Sequence, residues 1–269
     1  MFVDFSGSAM KGITKTTELH AVNPKSFVDS HCKPDAAVFL GVGSAASAAT
    51  LGCSACVLTH KGLPWLLIDC GFDTVSRYKK HFSSLPDAVF ITHLHYDHVS
   101  GLEQLYFQAA LSQHQITLYA PAELIVGLCN MLAYTGLSEG TCGVWQVFRL
   151  FPISESFLHR GQRIHSYAVR HHEPNSAFSL HLPGSLFYSG DTKAIPELLH
   201  HHVSNDEVIF HDCGFANNPS HCSLNELLMS YREDIIKNIW VYHYQHQEDV
   251  VKFERAGLKA AIAEQPIAL

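Results

Sequence analysis

The segment THLHYDHVSG, residues 92–101, constrains this chain more than any other part of its sequence. It places three histidines and one aspartate within six residues, directly after the apolar run of residues 88–91. An apolar run that stops at a polar cluster is typical of a buried strand that ends at a functional site. The pattern predicts a strand, then a short loop, and then a helix over residues 99–111.

The side chains of this segment are suited to bind a metal ion. His93 and His95 are two positions apart, so on an extended chain their imidazoles point to the same side. Asp97 and His98 follow where the chain turns into the predicted helix. Imidazole nitrogen and carboxylate oxygen are the ligands that borderline divalent ions, zinc above all, prefer. A polar loop in a chain with 20 histidines is the alternative, but this spacing at a strand-to-helix junction is far more specific than a single His-x-His pair.

Length and charge narrow the class of protein. The 269 residues, 47% of them hydrophobic, are enough for one large domain with a substantial core. The formal net charge is −7 and the chain has no run of Lys or Arg, so the electrostatic footprint of a nucleic-acid binder is missing. Binding of long nucleic acids is therefore not expected, whereas a small phosphodiester stays compatible with the sequence.

Targeting signals are missing from the sequence as well. No stretch approaches the roughly 20 apolar residues that a membrane span needs, and residues 1–15 contain no apolar core of a secretory signal. We therefore expect a cytoplasmic protein without membrane contacts. The eight cysteines are scattered among apolar residues, which predicts reduced and mostly buried thiols. Cys53 and Cys56 form a Cys-x-x-Cys pair without a second one, and we expect them to pack in the core.

The organisation of the chain indicates one domain after an N-terminal extension. Residues 1–35 show little periodicity and several turn formers, and the domain is predicted to cover residues 36–269. Its glycine- and serine-rich loop, residues 41–52, lacks the Lys-Ser/Thr ending of a phosphate-binding loop. Strands and helices then alternate in two halves, with a strand predicted over residues 143–151 and a helix over residues 250–263. This alternation fits an α/β (α+β) fold class with two sheets between helices.

The segment THLHYDHVSG resembles the signature of the metallo-β-lactamase superfamily. The resemblance implies an αββα sandwich, in which two mixed β-sheets are flanked by helices and a two-metal site lies at one edge. It also implies that a histidine, a bridging aspartate and a last histidine follow in this order. Three later segments match: AVRHHEPNSAF supplies His171, with His172 as the neighbouring alternative, LFYSGDT supplies Asp191, and IWVYH supplies His243.

These later segments are most similar to the tRNase Z-like and phosphodiesterase branch of the superfamily, which implies two bound divalent ions. The implied ligands fall into two sets that share a bridging carboxylate: His93, His95 and His171 on one ion, Asp97, His98 and His243 on the other, and Asp191 between them. The histidine-rich set favours Zn²⁺, although Mn²⁺ and Fe²⁺ also occupy such sites. Asp69, at the end of a predicted hairpin strand, is expected to support the metal-binding loop.

Two further segments resemble tRNase Z-like sequences and carry candidate catalytic residues. FHDCGF provides Asp212 and SHCSLNE provides His221. The resemblance implies that His221 is the general acid for the leaving oxygen and that Asp212 holds its ring; the alternative interpretation of His221 is a polar residue at a helix start. Asp97 would direct the attacking hydroxide. A phosphodiester needs an acid because an alkoxide leaves poorly, and histidine is suited to this role near neutral pH.

Two other sets of histidines, His211 and residues 200–202, lie outside the implied ligand set. His211 is a candidate partner of a metal ligand, because ligands are usually held by a second layer of hydrogen bonds. The run HHH at residues 200–202 is interpreted as a solvated helix end rather than a metal site.

The predicted function is a dinuclear metal-dependent hydrolase, and specifically a phosphodiesterase on a small or cyclic nucleotide-type diester. Residues 171 and 191 are only twenty positions apart, so the long arm that tRNase Z proteins carry between these points is absent. The alternatives are an acyl hydrolase of the same fold, acting on a lactone, thioester or β-lactam, and a tRNase Z-like endoribonuclease. A di-iron redox protein or an inactive scaffold is disfavoured because all seven ligands are present. A homodimer is a further expectation, with the surface around Tyr106 and Phe107 as its candidate contact.

Overall fold

The structure of this chain, a computed structural model, describes residues 32–136 and 142–269. The predicted extension of residues 1–35 therefore lies outside the described residues, except for residues 32–35. The described strands are β1 (Ala36–Gly41), β2 (Ala55–His60), β3 (Leu63–Ile68), β4 (Ala88–Phe90), β5 (Ile116–Pro121), β6 (Phe148–Ile153), β7 (Ser156–His159), β8 (Gln162–His165), β9 (Leu180–Leu182), β10 (Leu186–Tyr188), β11 (Val208–Asp212), β12 (Ile239–Tyr242), β13 (Lys259–Ala260) and β14 (Pro266–Ala268).

The helices lie between and outside these strands. They are α1 (Ala48–Leu51), α2 (Thr74–Phe82), α3 (Tyr96–Val99), α4 (Leu102–Leu111), α5 (Ile125–Leu132), α6 (Val144–Val147), α7 (Pro196–His202), α8 (Leu224–Ser230), α9 (Glu233–Ile236) and α10 (Asp249–Arg255), and a 3₁₀ turn covers Ala122–Leu124. In the part of the chain that the structure describes, no helix has the length and apolar character that a membrane span requires.

The strands form two mixed sheets. The first has the order β14-β1-β2-β3-β4-β5-β6, and the second has the order β13-β12-β11-β10-β9-β8-β7. Neighbouring strands are parallel from β3 to β6 in the first sheet and from β10 to β13 in the second, and the remaining pairs are antiparallel. Two mixed sheets flanked by helices confirm the predicted αββα sandwich.

Strand β2 shows how the sandwich is packed on both sides of a sheet. Cys56 and Leu58 belong to the core between the two sheets, whereas Ala55 and Val57 belong to the core under the covering helices. All four side chains are fully buried, because successive residues of a strand point to opposite faces. Burial of a side chain such as Leu58 contributes about 1.5–3 kcal/mol. A strand covered on both faces explains the uninterrupted apolar run in the sequence.

An aromatic cluster between the sheets fixes the strand ends that bear the site. The ring of Phe39 on β1 lies 6.2, 5.2 and 5.3 Å, between centroids, from those of Tyr188, Phe210 and Tyr242. These three residues belong to the parallel strands β10, β11 and β12. In such sheets, functional groups gather beyond the carboxyl ends of the strands. Packing against Phe39 therefore sets the relative positions of the loops that follow the three strands.

Three predicted elements differ from the structure. The strand predicted over residues 143–151 begins with helix α6, because a turn closes where the Gly143 amide donates to Gln146 Oε1 at 2.7 Å. The helix predicted over residues 250–263 ends at Arg255, since Gly257 has a left-handed φ of 82° and the chain then enters β13.

The helix predicted over residues 99–111 is interrupted as well. It is divided into α3 and α4 at Gly101, which packs so closely against Gly71 that a Cβ on Gly101 would lie 2.2 Å from the Gly71 carbonyl oxygen. This contact holds the predicted metal-binding segment against the loop that follows β3. The interruption therefore belongs to the construction of the site.

The expected dimer contact around Tyr106 and Phe107 is wrong. Tyr106 is fully buried, and its hydroxyl donates to the carbonyl of Cys142, so its ring is not available to a second copy. Homodimer formation itself stays a prediction.

Six of the eight cysteines are buried, among them Cys53 and Cys56, as the sequence predicted.

Candidate metal centre

The residues predicted as metal ligands converge at one edge of the sandwich. Two groups of three have candidate ligand atoms within 4.8 Å of one another, and we name them the outer triad, His93, His95 and His171, and the inner triad, Asp97, His98 and His243. His95 of the outer triad is exposed, whereas His98 and His243 of the inner triad are buried. The two triads therefore bring together residues from three separate segments of the chain.

Asp191 lies between the two triads. Its Oδ2 atom is 3.7 Å from Nε2 of His93, 3.3 Å from Nε2 of His98 and 3.1 Å from Nε2 of His243. It lies in the loop after strand β10, three positions beyond Tyr188, and is almost fully buried. One carboxylate thus faces histidines of both triads, which is the position expected of a bridging ligand.

Two strand ends turn sharply to present their side chains. Asp69 follows β3 with a φ of 62°, and His243 follows β12 with a φ of 66°. The left-handed region is uncommon for residues other than glycine and is found mainly where the surrounding structure enforces it, often at functional sites. Both residues are buried, so the turn places a polar side chain at the metal edge instead of continuing the strand.

Several buried atoms of the site have no hydrogen-bond partner among the described residues. They are Nε2 of His93, Nε2 of His98, Nε2 of His243 and Oδ1 of Asp191. A buried polar atom without a partner costs about 1–3 kcal/mol, and native structures leave few of them. Nitrogen and oxygen atoms that converge in this way fit a divalent cation as their common partner. The cluster is therefore a divalent-metal binding site.

A single buried carboxylate prepares two of these histidines. Asp69 Oδ2 accepts hydrogen bonds from His98 Nδ1 at 2.8 Å and from the Thr92 hydroxyl at 2.7 Å. Because the Thr92 hydroxyl gives its proton to Asp69, it accepts from His93 Nδ1 at 3.0 Å. Both rings thus carry their proton on Nδ1 and present the lone pair of Nε2 to the site. This geometry agrees with the supporting role expected of Asp69.

The neighbouring residues His171 and His172 are used differently. His171 Nδ1 donates to the Ser220 carbonyl at 3.0 Å, which leaves its Nε2 at 3.0 Å from Nδ1 of His95. His172 is exposed, and its ring stacks on His95 with centroids 4.8 Å apart. His171, rather than His172, therefore joins the outer triad.

The predicted Asp212–His221 pair forms beside the triads. His221 Nδ1 donates to Asp212 Oδ2 at 2.7 Å, and the same oxygen accepts from the Thr192 amide at 2.9 Å. A candidate ligand atom of His221 also lies within 4.8 Å of those of His171 and Asp191. Asp212 is buried while His221 is a quarter exposed, so the pair points from the protein interior towards the metal edge.

Charge and burial act against each other at the inner triad. Burial alone would raise the pKa of Asp191, but His243 and His98 hold it well below its ordinary value. Burial would likewise lower the pKa of His98, but Asp191 and Asp69 raise it well above 6.5. By contrast, burial and the nearby His98 lower the pKa of His93. The buried carboxylates Asp69 and Asp191 thus require a positive partner, which is a proton on His98 in this structure and would be a divalent cation in the metal-loaded site.

Other residues near the site were not assigned, or were assigned differently, from the sequence. His211 was expected to partner a metal ligand, but its Nδ1 donates to the Asp212 carbonyl at 2.7 Å and its Nε2 bonds the Tyr231 hydroxyl at 2.7 Å, so these bonds hold none of the seven predicted ligands. Thr92 lies in the motif, but its hydroxyl links Asp69 to His93 only because of the direction in which it points, which the sequence does not show. Ser220 acts through its main-chain oxygen, for which a sequence carries no signal.

A cavity of about 410 Å³ opens from the inner triad to the surface. Its inner end is lined by Asp97, Asp191 and His221, and its outer end by Phe215, Gln245 and Lys252. The volume lies within the range of about 300–1,000 Å³ that is usual for small-molecule sites.

Several solved structures share the architecture of this chain. The fold is similar to a diphosphatase from the PhnP family (TM-score 0.70, 18% identity, 88% of this chain and 98% of that one). It is also similar to Zn²⁺-bound PqqB from Methylobacterium extorquens (TM-score 0.67, 14% identity, 87% and 100%) and to human tRNase Z, short form (TM-score 0.57, 20% identity, 86% and 98%). These similarities show that the chain has the metallo-β-lactamase fold, as the sequence predicted.

Sequence comparison gives the family. The profile of the family described as Anti-Pycsar protein Apyc1 matches residues 36–266. Similar proteins include Anti-Pycsar protein Apyc1 of Paenibacillus harenae, 32% identical over 188 residues that cover 66% of this chain and 78% of that protein. Another is Anti-Pycsar protein Apyc1 of Bacillus phage 010DV004, 31% identical over 246 residues that cover 81% and 92%. This chain belongs to the Apyc1 family.

Proposed function

We propose that this protein is a dinuclear metal-dependent phosphodiesterase that hydrolyses a small or cyclic nucleotide-type diester. The observation that carries the proposal is the Asp212–His221 pair beside the triads, with a hydrogen bond of 2.7 Å. Hydrolysis of a diester releases an alkoxide, which leaves poorly without a proton, and a histidine held by a carboxylate is suited to supply it. An acyl hydrolase has less need of such an acid.

The seven converging residues are the proposed metal ligands. His93, His95 and His171 would hold one ion, Asp97, His98 and His243 the other, and Asp191 would bridge the two. Two divalent ions in these positions supply Lewis acidity towards the phosphoryl oxygens and activate water for attack. Zinc suits the histidine-rich set best, and Mn²⁺ and Fe²⁺ are the alternatives.

Side chains of the protein direct the proton transfers. The Oδ2 atom of Asp97 lies 3.5 Å from His98 Nε2 and 3.8 Å from His243 Nε2, at the inner end of the cavity, where it can accept a hydrogen bond from the attacking water. His221 gives the proton from Nε2 to the leaving oxygen, because its Nδ1 is held by Asp212. The Thr192 amide keeps the Asp212 carboxylate in place.

The cavity supports a small diester over a polynucleotide. Among the described residues that line the cavity, Lys252 is the one lysine or arginine. Its amine is paired with Asp249 at 2.7 Å. A groove for a long nucleic acid would need several cations along its length. Membership of the Apyc1 family further supports a cyclic nucleotide as the diester. We also propose the cytoplasm as the place of action.

The leaving group provides the test. Protein loaded with zinc or manganese would be assayed on a cyclic nucleotide, which releases an alkoxide, and on bis(p-nitrophenyl) phosphate, whose p-nitrophenolate leaves without protonation. His221→Ala is expected to lower kcat on the cyclic nucleotide about 10²–10⁴-fold and to lower it far less on the aryl diester. His201→Ala, at an exposed helix end, serves as the control.

Two outcomes would contradict the proposal. One is an equal loss on both substrates in His221→Ala, because a general acid matters most for the poorer leaving group. The other is protein with two metals per chain that hydrolyses neither diester but turns over a lactone or a thioester. That result would assign the acyl hydrolase instead.

A further inference from the structure

We propose that the outer end of the cavity is a nucleobase subsite in which the base stacks on Phe215. This inference rests on the proposed function and deepens it, because it names one nucleoside unit as the part of the substrate that lies beyond the phosphodiester. The argument combines the position of Phe215, its packing, its link to the metal centre and the charges around it.

Phe215 is a partly exposed aromatic residue that lines the cavity, where a ligand can cover its ring. It lines the same cavity as Asp97, Asp191 and His221, and 38% of its surface is accessible. Exposure of part of a phenyl ring to water forfeits hydrophobic free energy. A base that covers the ring recovers it, since every nucleobase has a π-face and stacking tolerates all of them.

The ring is also rigidly supported. Phe215 stacks on Phe253 of α10 with centroids 4.5 Å apart and an interplanar angle of 27°. Phe253 is fully buried and in turn contacts Tyr244, 6.1 Å away between centroids. One side of Phe215 is therefore fixed to the core while its remaining surface lines the cavity. A preorganised surface of this kind costs a ligand little ordering entropy.

The segment that carries Phe215 is tied to the metal centre. It runs from Asp212, which holds the general acid, to His221, the acid itself. The Ser220 carbonyl accepts from His171 of the outer triad at 3.0 Å, and the Asn218 carbonyl accepts from Lys193 at 2.9 Å. One wall of the cavity thus presents the proton donor and the aromatic ring at a fixed separation, as a substrate with a phosphate at one end and a base at the other requires.

The charges at the outer end favour a neutral planar group. Lys252 Nζ lies 5.2 Å from the centre of the Phe215 ring, but it is paired with Asp249, whose other oxygen accepts from the His246 amide at 3.0 Å. The cation is thus already balanced and is poorly placed to attract a second phosphate. Gln245 is exposed beside it, and a rotatable amide can pair with the edges of different bases.

The test measures binding, so that it does not depend on hydrolysis. Calorimetry on zinc-loaded protein would compare adenosine 5′-monophosphate with ribose 5-phosphate, which has the same phosphate and sugar but no base. The wild-type protein is expected to bind the nucleotide about tenfold more tightly. Phe215→Ala should remove this ratio, while Phe215→Tyr, which keeps the ring, should retain it.

A matched control is available in the chain. Phe151 is 42% exposed and its ring packs against that of Tyr119, with centroids 5.7 Å apart and an interplanar angle of 42°. Arg149 lies 5.3 Å from the centre of the Phe151 ring, but Phe151 is outside the cavity. Phe151→Ala should leave the ratio of the two affinities unchanged. A ratio near one in the wild-type protein, or an unchanged ratio in Phe215→Ala, would overturn the inference. Absence of hydrolysis together with a ratio lost in Phe215→Ala would overturn the proposed function and support the subsite.

Discussion

Buried histidines in two regions of this molecule use their ring nitrogens differently. At the metal edge, His93 and His98 each hold a protein oxygen through Nδ1 and leave Nε2 without a partner. Away from that edge, His159 uses both nitrogens: Nε2 donates to the Trp65 carbonyl at 2.8 Å, and Nδ1 accepts from the Tyr119 hydroxyl at 3.3 Å. The difference separates a ring prepared to bind a cation from a ring that completes the core.

Two further histidines show that an open nitrogen is not sufficient. His211 resembles His159, since both of its nitrogens are engaged. His181 pairs with Glu207 at 2.8 Å through Nε2 and leaves Nδ1 without a partner. Yet His181 belongs to none of the clusters of three candidate ligands in the described part of the chain. A metal site therefore requires open atoms from several residues that converge on one point.

Among the variants considered, His98→Ala is expected to have the largest effect on metal binding and activity. This change removes a proposed ligand, leaves Asp69 without its histidine partner and removes one of the three histidines that face Asp191. We expect fewer than two metal ions per chain by elemental analysis and a fall in turnover of about 10³-fold or more, since a metal ion contributes several kcal/mol to the transition state. His159→Phe should retain two ions and most of the activity. Full occupancy in His98→Ala would show that His98 is not a ligand.

Asp69→Asn tests the hydrogen bonds that orient the predicted ligands, because it leaves the ligands themselves unchanged. Asp69 accepts from His98 Nδ1 and the Thr92 hydroxyl at Oδ2 and from the Thr92 amide at Oδ1. An asparagine has the same shape, but it lacks the charge and its NH₂ group cannot accept, so it cannot keep all three hydrogen bonds. Loss of such a partner typically lowers metal affinity 10–100-fold. Competition against a chromophoric chelator measures this change. Asp87→Asn, on the surface, is the control, and an affinity within twofold of wild type would argue against the role of Asp69.

His159→Phe should affect stability rather than activity. The change leaves the Trp65 carbonyl without its donor, at a cost of about 1–3 kcal/mol in the free energy of unfolding at neutral pH. Chemical denaturation of the metal-loaded proteins measures this free energy. An increase in stability would show that the hydrogen bonds of His159 make no net contribution to the free energy of unfolding.

The same variant tests the pH dependence of stability. Burial lowers the pKa of His159 from 6.5 to about 4. Above pH 6.5 the ring is neutral in both states; below it the unfolded chain gains a proton that the folded chain refuses, so stability is lost as the pH falls from 6.5 to about 4. The full loss is about 3 kcal/mol. The difference in unfolding free energy between wild type and His159→Phe should narrow over this interval, and a constant difference would contradict the lowered pKa.

The site was predictable to the extent that residue chemistry and spacing define it. His93, His95, Asp97 and His98 stand in one short segment, so their types and intervals are visible in the sequence. The hydrogen bond that His171 donates to the Ser220 carbonyl is not visible in this way, because it spans 49 positions and any residue type has a carbonyl. Likewise, the support of Phe215 by Phe253 depends on how α10 packs.

The fold followed from alternation of apolar segments where elements are long and regular. Helix α6 was missed because it is a single turn of four residues, shorter than the period on which a helical pattern can be recognised. Strand β14 has three residues, and nothing in so short a segment indicates a strand. Its conformation comes from pairing with β1, in which Ala36 faces Ala268.

The pairing of β14 with β1 also determines when the first sheet can be completed during synthesis. Residues 266–268 must leave the ribosome before they can cover the edge of β1, although β1 to β6 and the whole THLHYDHVSG segment are translated much earlier. Until residues 266–268 emerge, the nascent chain therefore exposes an unpaired strand edge, which is a template for association with other chains. The first sheet is therefore completed only after all of its other strands have been synthesised.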